Sequence, residues 1–270
     1  MNTLSTPQGL LIDLDGTLYH GSKRIEGADT LLHMLQEQGI AYRFVTNNSS
    51  ASSRAVAERL EAMGIPARAE EVCTSAAAAA TYIASVKPDA TVFIIGESGL
   101  TEAVEEAGLT LTEAGEPDYV LQGIDRQLTY TKVAHAVSCI RAGARYIMTN
   151  PDLLLPGENG LIPGAGSIGA MLRAASGTEP IVIGKPSSIL MDYALNDIGL
   201  SANQTWVIGD NLATDIAAGH AAGCGTVLVL TGLTTPDNYS HYAKLADCEP
   251  DVVIPTLDEL RQYIMNGIGL

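Results

Sequence analysis

Short apolar runs alternate with helical stripes along almost the whole chain. Leu10, Leu11 and Ile12 form a run bounded by glycine and acidic positions, as expected of a parallel-sheet strand buried on both faces. Beyond Gly27 the period changes: Ala28, Leu31, Leu32 and Leu35 share one helical face, and Gly39 supplies the stop. The same alternation predicts strands over 41–45, 91–95, 118–122, 145–149, 181–183, 205–208, 226–230 and 252–254. Helices are expected over 53–63, 75–85, 100–107, 129–142, 167–175, 188–196, 215–222 and 257–264. Strands that alternate with helices in this way specify an α/β protein with a doubly wound parallel sheet. The stretch 80–180 carries enough strands and helices to bury its own core. The expected organisation is therefore a core domain of residues 1–79 and 181–270, with a smaller α/β domain of residues 80–180 inserted into it.

The polar residues at the strand ends add chemistry to this outline. Asp13-Leu14-Asp15-Gly16-Thr17 follows the first strand, at the sheet edge where ligands of open α/β folds bind. Asp13 and Asp15 lie two apart, so a continuing strand would point both to one face, and Gly16 lets the chain turn away. Two close carboxylates repel, and a hard divalent cation such as Mg²⁺ removes that repulsion. Alone, the motif reads equally well as an Asp-Gly turn with solvated acids. The second strand end is Thr46-Asn47-Asn48-Ser49-Ser50, which serves either as an anion site at a helix N-terminus or as a simple N-cap run. Lys185 follows a later strand, and Gly209-Asp210-Asn211 leads to Asp215 at a helix start. In one doubly wound sheet these groups would meet at one edge. Gly164-Ala165-Gly166-Ser167-Ile168-Gly169 matches the dinucleotide fingerprint formally, but prolines and glycines occupy the approach where a hydrophobic strand is required. A glycine-rich loop feeding a helix is the better account.

Composition narrows the partners. Apolar residues make up 46% of the 270 positions, ample for a buried core. The net charge of −16 argues against nucleic acid and against an acidic membrane surface. It does not exclude a small phosphorylated metabolite, which responds to the local field of a metal and a lysine. Cys73, Cys139, Cys224 and Cys248 are scattered, as expected of reduced thiols in a cytoplasmic protein. No signal sequence is expected at the N-terminus, and no apolar run approaches the roughly 20 residues a membrane span needs.

The motifs DLDGT, VTNN, GKP and GDNLATD, taken in order between Leu10 and Thr256, resemble those of the haloacid dehalogenase (HAD) superfamily. The long insertion between Thr46 and Lys185, with its segments DYVLQGIDRQLTY and TNPD, resembles the NagD and 4-nitrophenyl phosphatase branch. That resemblance implies a Rossmann-like core with an inserted α/β cap and a phosphatase that hydrolyses phosphate monoesters of small metabolites, such as a sugar phosphate or a nucleoside monophosphate. It implies Asp13 as nucleophile and Asp15 as general acid and base. Mg²⁺ would be held by Asp13, the Asp15 carbonyl and Asp210. Thr46, Asn47 and Lys185 would bind phosphate, with Asn211 and Asp215 supporting from behind. Substrate choice is expected in the cap, where Asp125, Arg126 and Asn150 are candidates, and a homodimer through the cap is a further expectation. A receiver-like phosphoryl carrier and a phosphomutase are the alternatives. The inserted domain and the second acid pair favour the phosphatase over the receiver.

Overall fold

The computed structural model describes residues 6–157, 160–246 and 248–267. In chain order it forms β1 (Gly9–Ile12), a hairpin of β2 (Tyr19–His20) and β3 (Lys23–Arg24), α1 (Ala28–Glu37), β4 (Ala41–Thr46) and α2 (Ser53–Ala62). There follow β5 (Val72–Thr74), α3 (Ser75–Val86), β6 (Thr91–Ile95), α4 (Ser98–Glu106), β7 (Thr110–Leu111), β8 (Tyr119–Gln122), α5 (Tyr130–Ala142) and β9 (Arg145–Met148). Next come β10 (Leu154–Gly157), β11 (Gly160–Pro163), α6 (Ala165–Ser176), β12 (Ile181–Val182) and α7 (Ser188–Ile198). The chain ends with β13 (Thr205–Gly209), α8 (Ala217–Ala222), β14 (Gly225–Val229), α9 (Tyr239–Leu245), β15 (Val252–Ile254) and α10 (Leu257–Gly267).

The elements form two compact units. The first contains the residues up to Thr46, Arg54–Cys73 and the residues from Lys185 onward. Its sheet has six strands in the order β15-β14-β13-β1-β4-β5, with β1 parallel to both β13 and β4. Ile12 lies opposite both Ile208 and Phe44, so the carboxyl ends of three central strands are level. Leu10, Leu11, Ile12, Phe44 and Ile208 have no solvent exposure, and each buried aliphatic side chain contributes roughly 1.5–3 kcal/mol. Helix α1 packs on α10, and α7 packs on α8. The continuous apolar runs read from sequence are this sheet's interior strands.

The second unit comprises residues 47–53 and Thr74–Gly184. Its five-stranded sheet has the order β12-β9-β8-β6-β7, all paired parallel. Phe93, Ile95, Val120, Ile140, Tyr146 and Leu172 share its core. The unit begins earlier than residue 80 because α3 packs as a whole on α4. Residues 47–53 join it because α4 lies against them: a Cβ on Gly99 would come within 2.4 Å of the Ala51 backbone. At the far end, the sequence pattern assigns β12 to the first sheet, but the strand pairs instead with Ile147 and Met148 of β9. Two half-buried residues carry no periodicity that could assign them to a sheet.

Glycines in the 164–169 segment serve close packing. A Cβ on Gly164 would meet the Asp152 carbonyl at 2.3 Å, one on Gly166 the Pro151 carbonyl at 2.1 Å, and one on Gly169 the Met148 sulfur at 2.4 Å. These approaches seat α6 on the chain around Pro151 and on β9. The antiparallel hairpin β10–β11 precedes α6, where the sequence suggests only a glycine-rich loop. Among the described residues no helix is long and apolar enough to cross a membrane. Cys73, Cys139 and Cys224 are free thiols, and burial raises the Cys73 thiol to about 12 and the Cys224 thiol to about 11, which keeps both protonated.

Candidate active site

The level ends of β1, β4 and β13 place Asp13, Thr46 and Asp210 at one edge of the first unit's sheet. Asp13 follows β1 directly, and its backbone N–H donates to the Ile208 carbonyl at 2.9 Å, extending the ladder by one bond. Lys185, 3% exposed, opens the return of the chain into this unit. Its ammonium donates to Asp13 Oδ1, to Asp215 Oδ1 at 2.6 Å and to the Val45 carbonyl at 3.3 Å. Thr17, fully buried, donates its hydroxyl to Asp13 Oδ2 at 3.3 Å. Thr46 is buried at the end of β4.

Asp215 lies in a π-helical turn, Leu212–Ile216, that leads into α8. Its second oxygen accepts the Asn211 backbone N–H at 3.1 Å, and the Asn211 side chain caps the same turn by accepting from Ala213 N–H at 3.0 Å. The glycine at 209 is required here, since a Cβ would lie 2.4 Å from the Asp215 carboxyl carbon. Asp210 is 4% exposed and accepts the Leu233 backbone N–H on Oδ2.

The electrostatics of this arrangement are unbalanced. Oxygens of Asp13, Asp210 and Asp215 lie within 4.8 Å of one another. At that separation two carboxylates repel by roughly 3 kcal/mol at an effective dielectric of about 20. Lys185 is the cation bonded to this group, and its pKa is held above the ordinary lysine value by Asp13 and Asp215 against the opposing effect of burial. Burial, opposed by Lys185 and aided by Asp215 and Asp210, pushes Asp13 up to about 8. Burial and Asp215 likewise push Asp210 up to about 7. Three acids around one ammonium form an oxygen-rich site that suits a hard divalent cation. Asp15 is exposed, and burial of its surroundings raises its carboxyl above the ordinary range while Arg59 and His20 oppose the shift.

The structure therefore brings Asp13, Lys185, Asp210 and Asp215 into direct proximity, with Thr46 at the end of β4 beside β1 and Asp15 in the turn that follows Asp13. Asn47 groups with the second unit, where its carbonyl accepts from Ser75 Oγ at 2.7 Å and from Asn150 Nδ2 at 2.8 Å, and its amide donates to Asp152 at 3.3 Å. Asn150 also accepts the Asp152 backbone N–H at 3.1 Å. Asp125 is buried, paired with Lys132 at 2.5 Å, and accepts the Gln127 backbone N–H at 2.9 Å. Arg126 is half exposed and pairs with Glu97 at 2.7 Å.

Several residues near the site escape sequence reasoning. In the sequence Thr17 stands out only as part of a turn. Arg59 stacks its guanidinium 4.8 Å over the Tyr19 ring and donates to the Gly21 carbonyl at 2.7 Å, which ties α2 to the β2–β3 hairpin behind Asp15. The turn Thr231–Thr234 reaches Asp210, and its one sequence signal is a glycine among threonines just past a strand.

The haloacid dehalogenase-like hydrolase family model matches residues 10–110, and a HAD-hydrolase-like model matches residues 182–260. The 5'-nucleotidase YutF of Bacillus subtilis is 44% identical over 262 residues, spanning 97% of this chain and 100% of that protein. The chain belongs to the haloacid dehalogenase-like hydrolases. An acid sugar phosphatase of Staphylococcus haemolyticus is 43% identical across 84% of this HAD chain and 87% of its own length. The structure of a p-nitrophenyl phosphatase from Archaeoglobus fulgidus superposes with a TM-score of 0.91 at 38% identity, covering 95% of this chain and 98% of that one. This HAD enzyme is thus a phosphatase of the NagD-like branch, with the α/β fold of its relatives.

Proposed function

We propose that the enzyme is a Mg²⁺-dependent phosphomonoesterase acting on small phosphorylated metabolites through an aspartyl-phosphate on Asp13. The observation that carries this reading is the buried cluster of Asp13, Asp210 and Asp215 around Lys185, whose excess negative charge calls for a cation. The donor set fits Mg²⁺: oxygen ligands alone, with Asp13 and Asp210 both raised in pKa by burial and by their acidic neighbours. Asp13, the Asp15 carbonyl and Asp210 would hold the ion, which supplies charge neutralisation for phosphoryl oxygens. Asp215 accepts from Lys185 on one oxygen and from the Asn211 N–H on the other, and it is assigned to holding Lys185 and the turn at Asn211.

Asp13 attacks phosphorus, forming an Asp13–phosphorus bond as the ester oxygen departs. Asp15 delivers its proton to that oxygen, and burial of its surroundings shifts its carboxyl upward, the direction a general acid requires. Asp15 then takes a proton from water, which attacks phosphorus and releases inorganic phosphate with Asp13 restored. Lys185, Thr46 and Asn47 are assigned to the phosphoryl oxygens. The names of the relatives direct the substrate class toward nucleoside monophosphates and sugar phosphates, and selection among them is assigned to the second unit. All three candidates there have partners within their own unit, and Arg126, paired with Glu97, is the exposed one that carries a cation, whereas Asp125 and Asn150 are buried. The cytoplasm is the proposed location, on account of the free thiols.

Phosphate release from a panel of nucleotides and sugar phosphates tests the reading. Activity is expected to vanish on full chelation and to return with Mg²⁺. In the Asp13→Asn enzyme turnover should fall by about 10⁴-fold or more with the fold intact. Turnover that survives chelation, or an Asp13→Asn variant of normal activity, would overturn the proposal.

A further inference from the structure

The turn that follows β14 takes part in no step described above, yet its backbone is committed to the two acidic motifs. Leu233 donates its N–H to Asp210 Oδ2, and Thr234 donates its N–H to the Asp210 carbonyl at 3.2 Å. Thr231 donates its hydroxyl to the Gly16 carbonyl at 2.8 Å. Between them, Gly232 lies so close that a Cβ would come within 2.1 Å of Asp210 Oδ2 and 2.5 Å of the Gly16 carbonyl. Gly16 meets the same carboxylate from the other side, where a Cβ would be 2.4 Å from Oδ2. The Asp210 carboxylate is thus gripped between two glycines, with one oxygen fixed by a backbone donor.

The turn is itself held from the first motif's hairpin. A carbonyl can only accept, so His20 places its Nε2 hydrogen on the Thr231 carbonyl, at 2.7 Å. The Gly16 N–H in turn donates to the Tyr19 carbonyl at 2.8 Å, which closes a circuit through Gly16, Tyr19, His20 and Thr231. Thr234 Oγ1 is fully buried without a hydrogen-bond partner. An orphaned buried hydroxyl is destabilising, a cost the fold accepts in a turn shaped to meet Asp210.

We propose that the turn Thr231–Thr234 is a positioning element of the active site, in which Gly232 and the Leu233 N–H fix the Asp210 carboxylate against Gly16 in the orientation that receives the divalent cation. Thr231 and His20 are positioning residues that act through this turn. The inference rests on the metal-dependent reading given above. Second-sphere partners of a metal ligand typically change affinity by about 10–100-fold when altered.

The test compares Mg²⁺ binding to the full-length wild type, Gly232→Ala and Thr231→Val by calorimetry without substrate, together with kinetics over a Mg²⁺ titration. Gly232→Ala is expected to weaken Mg²⁺ binding by about 10–100-fold, with turnover partly restored at high Mg²⁺. Thr231→Val removes the hydroxyl that donates to the Gly16 carbonyl and is expected to lower the metal-free melting temperature slightly and to weaken Mg²⁺ binding to the folded protein several-fold. A role confined to stability would lower the melting temperature and leave the Mg²⁺ affinity of the folded protein alone. Wild-type affinity in a folded Gly232→Ala protein overturns the inference, and so does wild-type affinity in Thr231→Val if Gly232→Ala does not fold. Failure of the wild type itself to bind Mg²⁺ overturns the metal-dependent reading as well, which separates the two failures.

Discussion

The two units treat their polar and charged residues in opposite ways. In the second unit each candidate singled out from sequence has its own compensation: Asp125 has Lys132, Arg126 has Glu97, and Asn150 joins Asn47 and Asp152. In the first, Asp13, Asp210 and Asp215 crowd together with Lys185 as their bonded cation, and two of them are driven far above the ordinary carboxylate range. Charges that are locally balanced hold loops. A buried imbalance, stable only because a large apolar sheet surrounds it, is reserved for a ligand that restores neutrality.

The widest consequence concerns Asp15, whose proton is needed only for a poor leaving group. Asp15→Asn should slow an alkyl phosphate by about 10²–10⁴-fold and a nitrophenyl ester much less; equal losses for the two would remove the acid role. Next comes Lys185→Met, which leaves Asp13 and Asp215 without their cation. Breaking a buried pair costs about 3–5 kcal/mol, measurable by chemical denaturation at neutral pH, and a loss below about 1 kcal/mol would mean that the imbalance is not borne by this lysine.

The pH dependence separates the units further. The folded-state pKa of Asp13 is raised from 3.8 to about 8, so the unfolded chain releases this proton first as pH rises. The contribution of Asp13 to metal-free stability should therefore be fully present below pH 4, decline as pH climbs through the interval between these values, and level off above about 8. Mg²⁺ should raise the melting temperature more at pH 8.5 than at pH 6, and a Mg²⁺ shift that is larger at pH 6 would contradict the assignment. The smallest effects belong to the second unit. Asp125→Ala strands Lys132 beside a buried loop and should cost about 1–3 kcal/mol, whereas Arg126→Ala should change stability by less than about 0.5 kcal/mol. If Arg126 selects substrate, its variant raises KM at nearly constant kcat; unchanged KM across the metabolite panel would return Arg126 to the balanced, purely structural group.

Much of the first unit is legible in the order of its amino acids alone. Leu10–Ile12, 41–45, 205–208 and 226–230 announce buried parallel strands because the signal is local and continuous. The acids after two of them announce a shared edge because parallel strands align their carboxyl ends, whereas Lys185 follows β12, which belongs to the other sheet. Elements of two or three residues, such as β5, β7 and the β2–β3 hairpin, are not legible, since they are too short to show a period and form by pairing with a neighbour already in place.

The order and type of the long elements, the four motifs and the chemistry those residue types permit are all legible in the chain of amino acids. These depend on side-chain identity and near-neighbour spacing, which the chain carries locally. The sheet that β12 joins, the packing of residues 47–53 with the second unit, the pairing of Asp125 with Lys132 and the grip of the turn Thr231–Thr234 on the Asp210 carboxylate emerge in the folded state alone. Most of those outcomes are contacts between segments distant in the chain. Their energies belong to the packed arrangement, and no local pattern of hydrophobic and polar positions encodes them.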